Sequence, residues 1–182
     1  GGKALSTGYD IFRAFCGDGR WNGIDCRFSY GRLRGSRRVF GISPRMRLDL
    51  LVNNFAYRAI TDGFVIVFEG HFKRNYIHVL DVIQAFNLAL NNEENFKGEI
   101  FNVGLSEANI SKIDLCREIQ SLIPTFTFLE APLGKDPDQR NYVVSNQKIE
   151  NLGFKPAVSL RNGLEELIKG LKMFNHKPFT NV

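Results

Sequence analysis

From Val39 to Phe174 the sequence alternates between stretches with the 3.6-residue period of amphipathic helices and short runs rich in β-branched and aromatic residues. This alternation predicts a mixed α/β or α+β layer architecture, because each helix must bury its apolar face on a sheet or on another helix. The first 38 residues show no sustained period and hold eight of the 17 glycines. We therefore predict three parts: a Gly/Arg-rich segment over 1–38, a folded unit over 39–174 and a tail over 175–182.

Start and stop signals place the individual elements of the folded unit. Apolar residues at helical spacing predict helices over Arg47–Thr61 and Leu80–Asn91. Ser111, Ser145 and Ser159 each precede a further apolar-periodic stretch, where a serine hydroxyl accepts a hydrogen bond from the first amides of a helix. Strands are predicted over Phe64–Phe68, Glu99–Gly104 and Thr125–Leu129.

The surplus of positive charge is confined to the Gly/Arg-rich segment. Residues 1–38 contain eight Lys or Arg and three Asp, which accounts for the whole net charge of +5, and the remainder is balanced. Trp21, Phe28 and Tyr30 lie among these arginines, an arrangement that suits stacking on nucleic-acid bases. A solvated arm is the competing interpretation, and we do not expect nucleic acid as a partner.

Composition argues against several classes of protein. With 43% hydrophobic and 24% charged residues the chain is an ordinary globular one, and no apolar run approaches the ~20 residues that cross a bilayer. The N-terminal residues show no leader pattern, so a cytoplasmic location is expected. Cys16, Cys26 and Cys116 lack the spacing of zinc or redox sites, so we predict reduced thiols and no metal site. Cys116 falls on a predicted helix face, where a buried thiol is expected.

Four stretches in a fixed order carry a resemblance. They are VFGISPRMRLDLLVNNF from Val39, KRNYIHVLDVIQAF from Lys73, GEIFNVG from Gly98 and SNQKIENLGFKPAVSLRNGLEELI from Ser145. Together they resemble the C-terminal half of the extended short-chain dehydrogenase/reductase family, the NAD-dependent nucleotide-sugar epimerases and dehydratases. The second stretch is similar to the family's R-D-[YF]-I-H-V-x-D pattern, although Asn75 stands in the usual Asp position.

The resemblance implies a partial extended, Rossmann-like α/β architecture, mainly the small α+β substrate-binding lobe. It also implies that Arg74 and Arg140 match family arginines that contact the substrate phosphates. A planar guanidinium suits that role because it can hold phosphate oxygens through two parallel hydrogen bonds. For each arginine, the alternative is a surface side chain that is solvated or paired with a neighbouring carboxylate such as Asp138.

Further substrate contacts follow from the same resemblance. Asn53, with Asn54 one register away, matches an asparagine that hydrogen-bonds the substrate; an exposed helix residue is the alternative. The loop from Phe68 to Phe72 would cover the nucleotide base, with either aromatic side chain stacking on it unless both belong to the core. For His78 we expect a structural hydrogen bond at a strand-to-helix junction and no acid–base role.

The family's cofactor and catalytic residues are matched less closely. Phe40 and Gly41 correspond by resemblance to a strand end that contacts the cofactor NAD. Family members bind NAD with a glycine-rich turn, but the glycines of CGDGRWNG have a different spacing, and we find no such motif in this chain. The family's Tyr-x-x-x-Lys pair corresponds by spacing to Tyr30 and Arg34, with arginine in place of lysine. A tyrosine placed there by coincidence is the alternative.

By resemblance, we expect an NAD-dependent nucleotide-sugar epimerase or dehydratase, in which NAD oxidises the sugar C4 hydroxyl and epimerisation or dehydration follows. We expect the chain to be incomplete, with NAD held by residues elsewhere or by a partner chain, and the family implies a homodimer. The alternative is a non-catalytic module that binds a nucleotide-sugar or another protein.

Overall fold

The computed structural model describes residues 39–43, 46–96, 99, 101–131 and 143–173. Its helices are α1 (Leu51–Thr61), α2 (Val79–Asn91), α3 (Glu93–Phe96), α4 (Lys112–Leu122), α5 (Gln147–Glu150) and α6 (Leu160–Met173), with a 3₁₀ turn at Ser106–Ala108. Its strands are β1 (Val39–Phe40), β2 (Phe64–Val67), β3 (Lys73–Asn75), β4 (Ile77–His78), β5 (Asn109–Ser111) and β6 (Thr127–Glu130).

The strands of the described part pair in three two-stranded sheets. β1 pairs with β4 and β2 pairs with β6, both in parallel, whereas β3 and β5 are antiparallel. Parallel strands must be joined by a crossover connection. The segment from β1 to β4 and the segment from β2 to β6 both contain helices, as such connections usually do. The fold is mixed α/β, as the alternation of periods predicts.

Apolar side chains are buried in two clusters, one on each face of the β1–β4 pair. Phe40 belongs to the larger cluster, together with the apolar faces of α1, α4 and α6. Val39 and Ile77 pack into the smaller cluster, which contains residues of α2, α3 and α5. Successive strand residues point to opposite faces, so this short pair contributes to both clusters at once.

Two of the three predicted serine caps form as expected. The amide of Asp114 donates to Ser111 Oγ at 3.1 Å, and that of Asn162 donates to Ser159 Oγ at 3.2 Å. At the short helix α5, Asn146 occupies the N-cap position without a capping side-chain hydrogen bond, and Ser145, one residue earlier, accepts from the Gln147 amide at 3.5 Å. Cys116 is buried on α4, as predicted, and burial raises the pKa of its thiol to about 12.

The helix predicted over Arg47–Thr61 begins four residues later, at Leu51. In a helix that began at Arg47, the carbonyls of Arg47 and Leu48 would accept hydrogen bonds from the amides of Leu51 and Val52. They accept instead the side-chain amides of Asn53 and Asn54, each at 3.0 Å. Competition by local side chains therefore delays the helix start.

The strand predicted over Glu99–Gly104 is wrong for the residues described there. Phe101 and Val103 are buried in the smaller cluster, which explains their strand-like alternation, but residues 99 and 101–104 form no ladder. The next strand prediction is shifted, since β6 covers Thr127–Glu130 where Thr125–Leu129 was expected.

Candidate functional site

The turn Phe68–Phe72 joins β2 to β3 and carries two of the predicted substrate contacts. Glu69 has φ 50°, a left-handed conformation that few residues other than glycine adopt. The Phe72 amide closes the turn on the Glu69 carbonyl at 3.1 Å. Phe68 is 39% exposed, whereas Phe72 is half-buried and packs edge-on against His71 with ring centroids 4.7 Å apart. Phe68 is thus the more accessible of the two aromatic side chains.

This turn is tied to two elements that are distant in sequence. The Gly70 amide donates to Glu130 Oε1 at 2.9 Å, and the Gly70 carbonyl accepts from the Ile113 amide at 3.1 Å. Lys112 Nζ donates to the Phe68 carbonyl at 2.7 Å, although the lysine is only 2% exposed. Sequence reasoning missed Lys112 and Glu130, because nothing local marks a lysine in the first turn of α4 as buried.

Arg74 follows the turn by two residues and lies within β3, where its backbone pairs opposite Ile110. Its position two residues after the turn favours a place on the connection, but it is a strand residue and only 4% exposed. Its Nη1 donates to the Lys73 carbonyl at 3.0 Å, which helps to fix the guanidinium plane. The alternative of a solvated surface arginine is also excluded. Arg140, the second predicted phosphate contact, lies outside the described residues.

Asn53 ties the end of β1 to the start of α1. Its Oδ1 accepts from the Gly41 amide at 3.3 Å, and its Nδ2 donates to the Arg47 carbonyl at 3.0 Å. The side chain is buried, so the alternative of an exposed helix asparagine is wrong. The side-chain amide of Asn54 donates to the Leu48 carbonyl at 3.0 Å. Substrate contact by Asn53 stays a prediction, and its observed bonds show that it positions backbone.

His78 stands at the junction of β4 and α2. It is 0% exposed, and its Nδ1 accepts from the Leu80 amide at 3.4 Å, the structural hydrogen bond that the sequence predicts. Among the described residues Nε2 has no hydrogen-bond partner, and it lies 3.7 Å from Glu166 Oε2. Burial lowers the pKa of His78, an effect that the carboxylates of Glu166 and Asp81 partly oppose. His78 is therefore a neutral side chain inside the protein near pH 7.

The predicted cofactor contacts, Phe40 and Gly41, lie at the carboxyl end of β1, where α/β proteins generally bind ligands. Phe40 is buried, and its ring meets that of His78 edge-on with centroids 5.3 Å apart. Gly41 has φ 130°, and a Cβ there would lie 2.6 Å from His78 Nε2. Gly41 is thus required by its backbone conformation and by its protein neighbours. Contact of Phe40 and Gly41 with the cofactor stays a prediction.

Several predictions concern residues that the structure does not describe. Tyr30 and Arg34, the predicted catalytic pair, lie outside the described residues, as does the CGDGRWNG segment. Among residues 39–173, as far as they are described, no three His, Cys, Asp or Glu side chains are grouped as a metal site would need. None of the described helices combines the length and apolar character needed to cross a membrane.

Comparison with protein families gives one match. The model of the NAD dependent epimerase/dehydratase family matches residues 21–104. The dTDP-D-glucose 4,6-dehydratase of Mus musculus is 28% identical over 103 residues, which are 53% of this chain and 28% of that protein. The CDP-paratose 2-epimerase of Salmonella typhi is 28% identical over 111 residues, 59% of this chain and 32% of that protein. The chain thus spans about a third of the length of these curated relatives.

Solved structures show the same fold. The UDP-glucose 4-epimerase of Thermotoga maritima, crystallised with UDP-glucose, superposes with a TM-score of 0.63 at 24% identity, over 75% of this chain and 44% of that one. The UDP-glucuronic acid 4-epimerase of Bacillus cereus in complex with NAD gives a TM-score of 0.57 at 24% identity, over 75% and 41%. The fold of the described part thus corresponds to part of these larger Rossmann-like structures.

Proposed function

We propose that the chain belongs to the NAD-dependent epimerase/dehydratase family of extended short-chain dehydrogenases/reductases, whose model matches residues 21–104, and that residues 39–173 form the lobe that binds a nucleotide-sugar. Arg74 would hold the pyrophosphate, and the turn Phe68–Phe72 would cover the base. For the whole protein we propose the family's activity, in which bound NAD accepts a hydride from C4 of the sugar before epimerisation or dehydration.

The observation that carries the proposal is the placement of Arg74. Arginine is seldom fully buried, because its guanidinium must keep hydrogen-bond partners when it leaves water. Arg74 is 4% exposed and emerges from the tied turn by two residues, so its position is fixed by β3 and by the turn. A fixed planar cation in the strand that follows the turn, together with the accessible ring of Phe68 within the turn, suits a ligand with a phosphate group and a flat base.

NAD enters the proposal through the family. Phe40 and Gly41, at the end of β1, stay the proposed contacts to a dinucleotide within the described part, and further contacts would come from residues outside it or from another chain. Within the described part, Asn53 contributes by holding the Gly41 amide, which fixes the end of β1. Tyr30 remains the proposed acceptor of the sugar hydroxyl proton, with Arg34 as its neighbour in sequence.

Titration calorimetry of the purified 182-residue chain tests the proposal, with UDP-glucose, dTDP-glucose, GDP-mannose and NAD as separate titrants. We expect at least one nucleotide-sugar to bind. Arg74→Lys keeps the charge but loses the fork of donors, and we expect it to cost about 1.5 to 3 kcal/mol of binding free energy. Arg117→Lys, an exposed arginine on α4, is the matched control and should bind like the unaltered chain.

Each outcome of the titrations supports or contradicts one part of the proposal. A folded chain that binds none of the three nucleotide-sugars would contradict the substrate lobe and favour a module that contacts another protein. Equal affinities for the two arginine variants would contradict the role of Arg74. Tight binding of NAD would assign cofactor contacts to this chain, in agreement with the family's chemistry.

A further inference from the structure

Lys112 and Glu130 form a clamp on the turn Phe68–Phe72, and neither residue belongs to any motif of the chain. We infer that this clamp fixes the turn in the single conformation that receives the nucleotide base, so that the two residues determine affinity and base selectivity without touching the ligand. The inference rests on the proposed function, because it concerns the same nucleotide-sugar site.

The lysine side of the clamp is a buried cation with two contacts to the turn. Lys112 Nζ donates to the Phe68 carbonyl at 2.7 Å and lies 5.4 Å from the centre of the Phe72 ring. A buried ammonium is costly unless it is hydrogen-bonded, and its attraction to an aromatic face strengthens as water is excluded. Lys112 therefore holds both ends of the turn, at its first and its last residue.

The acidic side of the clamp holds the middle of the turn. Glu130 Oε1 accepts from the Gly70 amide at 2.9 Å, an interaction that is stronger than a bond between neutral groups. A Cβ on Gly70 would lie 2.5 Å from Ile113 Cγ1 and 2.8 Å from Glu130 Oε1, so the backbone approaches both neighbours closely. The Ile113 amide completes this side through the Gly70 carbonyl.

The turn needs such ties because its own conformation is unfavourable. Glu69 has φ 50°, which costs energy for a residue with a side chain and persists only where neighbours impose it. Released from the clamp, the turn would populate other conformations, and a ligand that needs the clamped conformation would bind more weakly in proportion to the population lost. Phe68, the accessible ring, moves with the carbonyl that Lys112 holds.

Lys112→Met is the direct test, because methionine keeps the length of the side chain and removes the ammonium. We expect the Kd of the tightest-bound probe, among UDP-glucose, dTDP-glucose and GDP-mannose, to rise about tenfold. We also expect the ratio of the UDP-glucose and GDP-mannose affinities to move toward one, and the Gly70 amide to exchange its hydrogen faster.

Lys148→Met is the matched control. Lys148 also lies over an aromatic ring, 4.7 Å from the centre of Phe101, but it belongs to α5 and pairs with Glu99. It should leave the Kd and the selectivity ratio unchanged. Equal Kd values for the two lysine variants would overturn the clamp while leaving the proposed function intact.

Glu130 supplies a second test that survives if Lys112→Met fails to fold. Glu130→Gln keeps an oxygen acceptor for the Gly70 amide, so its affinity should stay within a small factor of the unaltered value. Glu130→Ala removes the acceptor and should weaken binding as Lys112→Met does. Identical behaviour of the two Glu130 variants overturns the clamp, and failure of the unaltered chain to bind any probe overturns the proposed function and the clamp together.

Discussion

Three buried polar side chains beside the candidate site are held in place by hydrogen bonds to backbone groups. Asn53 holds the Gly41 amide and the Arg47 carbonyl, Lys112 holds the Phe68 carbonyl, and His78 accepts from the Leu80 amide. Buried polar groups must find partners, and the backbone of a turn or helix start offers unsatisfied ones. Each of these side chains thereby fixes a connection beside the candidate site.

The lowered pKa of His78 predicts how the free energy of unfolding depends on pH. Its pKa is lowered in the folded chain from 6.5, because burial disfavours the imidazolium, so the unfolded state binds the proton more readily. The stabilisation is fully present above pH 6.5 and is lost as the pH falls from there toward the lower pKa of the folded state. Urea unfolding between pH 7.5 and 5 should show this decline, at no more than about 1.4 kcal/mol per pH unit.

Two histidine variants separate this effect from general acid sensitivity. His78→Asn keeps an acceptor for the Leu80 amide and removes the titrating group, so the decline near pH 6.5 should flatten. His71→Gln alters an exposed histidine and should retain it. A slope that is the same in both variants would show that His78 is not the responsible group.

At the scale of elements, a glycine allows α6 to pack closely against β1 and β4. Gly163 lies on the buried face of α6, and a Cβ there would lie 2.6 Å from Phe40 Cε2 and 3.1 Å from His78 Cδ2. Glycine weakens a helix relative to alanine. Glycine is therefore required at this position because the two rings approach so closely, although alanine would favour the helix.

Gly163→Ala is consequently expected to destabilise the protein. Alanine would normally stabilise a helix interior by about 1 kcal/mol, but overpacking costs about 1 to 3 kcal/mol, and the displaced rings are buried. Asn162→Ala, at the exposed neighbouring position, should change the free energy of unfolding little. Thermal unfolding followed by circular dichroism compares the two; a higher melting temperature for Gly163→Ala would contradict the tight packing of α6 on Phe40.

At the scale of the whole described part, the β1–β4 pair lies between the two apolar clusters and contributes side chains to both. Val39 and Ile77 serve the smaller cluster and Phe40 serves the larger. Asp81 adds a polar tie, since its carboxylate accepts from the amides of Ala157 and Val158, just before α6. Two clusters that share their central strands should not unfold separately.

Large-to-small substitutions in the two clusters test that coupling. Leu115→Ala in the larger cluster and Phe101→Ala in the smaller should each lower the free energy of unfolding by roughly 2 to 5 kcal/mol. In both variants, hydrogen exchange should accelerate together in α2 and α4, because the transition is shared. Met173→Ala, at an 80% exposed position, is the control. Faster exchange confined to the helix of the altered cluster would show that the clusters unfold independently.

Of the candidate site, the sequence located the turn, Arg74 and Asn53, and it anticipated the structural role of His78. It did not find Lys112 or Glu130, since 44 residues separate Lys112 from Phe68 and 60 separate Glu130 from Gly70. A lysine in a first helical turn is ordinarily exposed, and only the docking of α4 beneath the turn buries this one. The roles of Arg74 and Asn53 toward a ligand remain predictions.

By itself the sequence determined the order and type of most elements and the caps at Ser111 and Ser159, because helical period, strand composition and capping act over a few residues. Tertiary structure decided what local patterns could not. The alternating segment after Glu99 found no partner strand and became a buried loop, since a ladder requires a second chain segment. Arg74 became a buried strand residue because β5 pairs with β3, a contact between segments far apart in the chain.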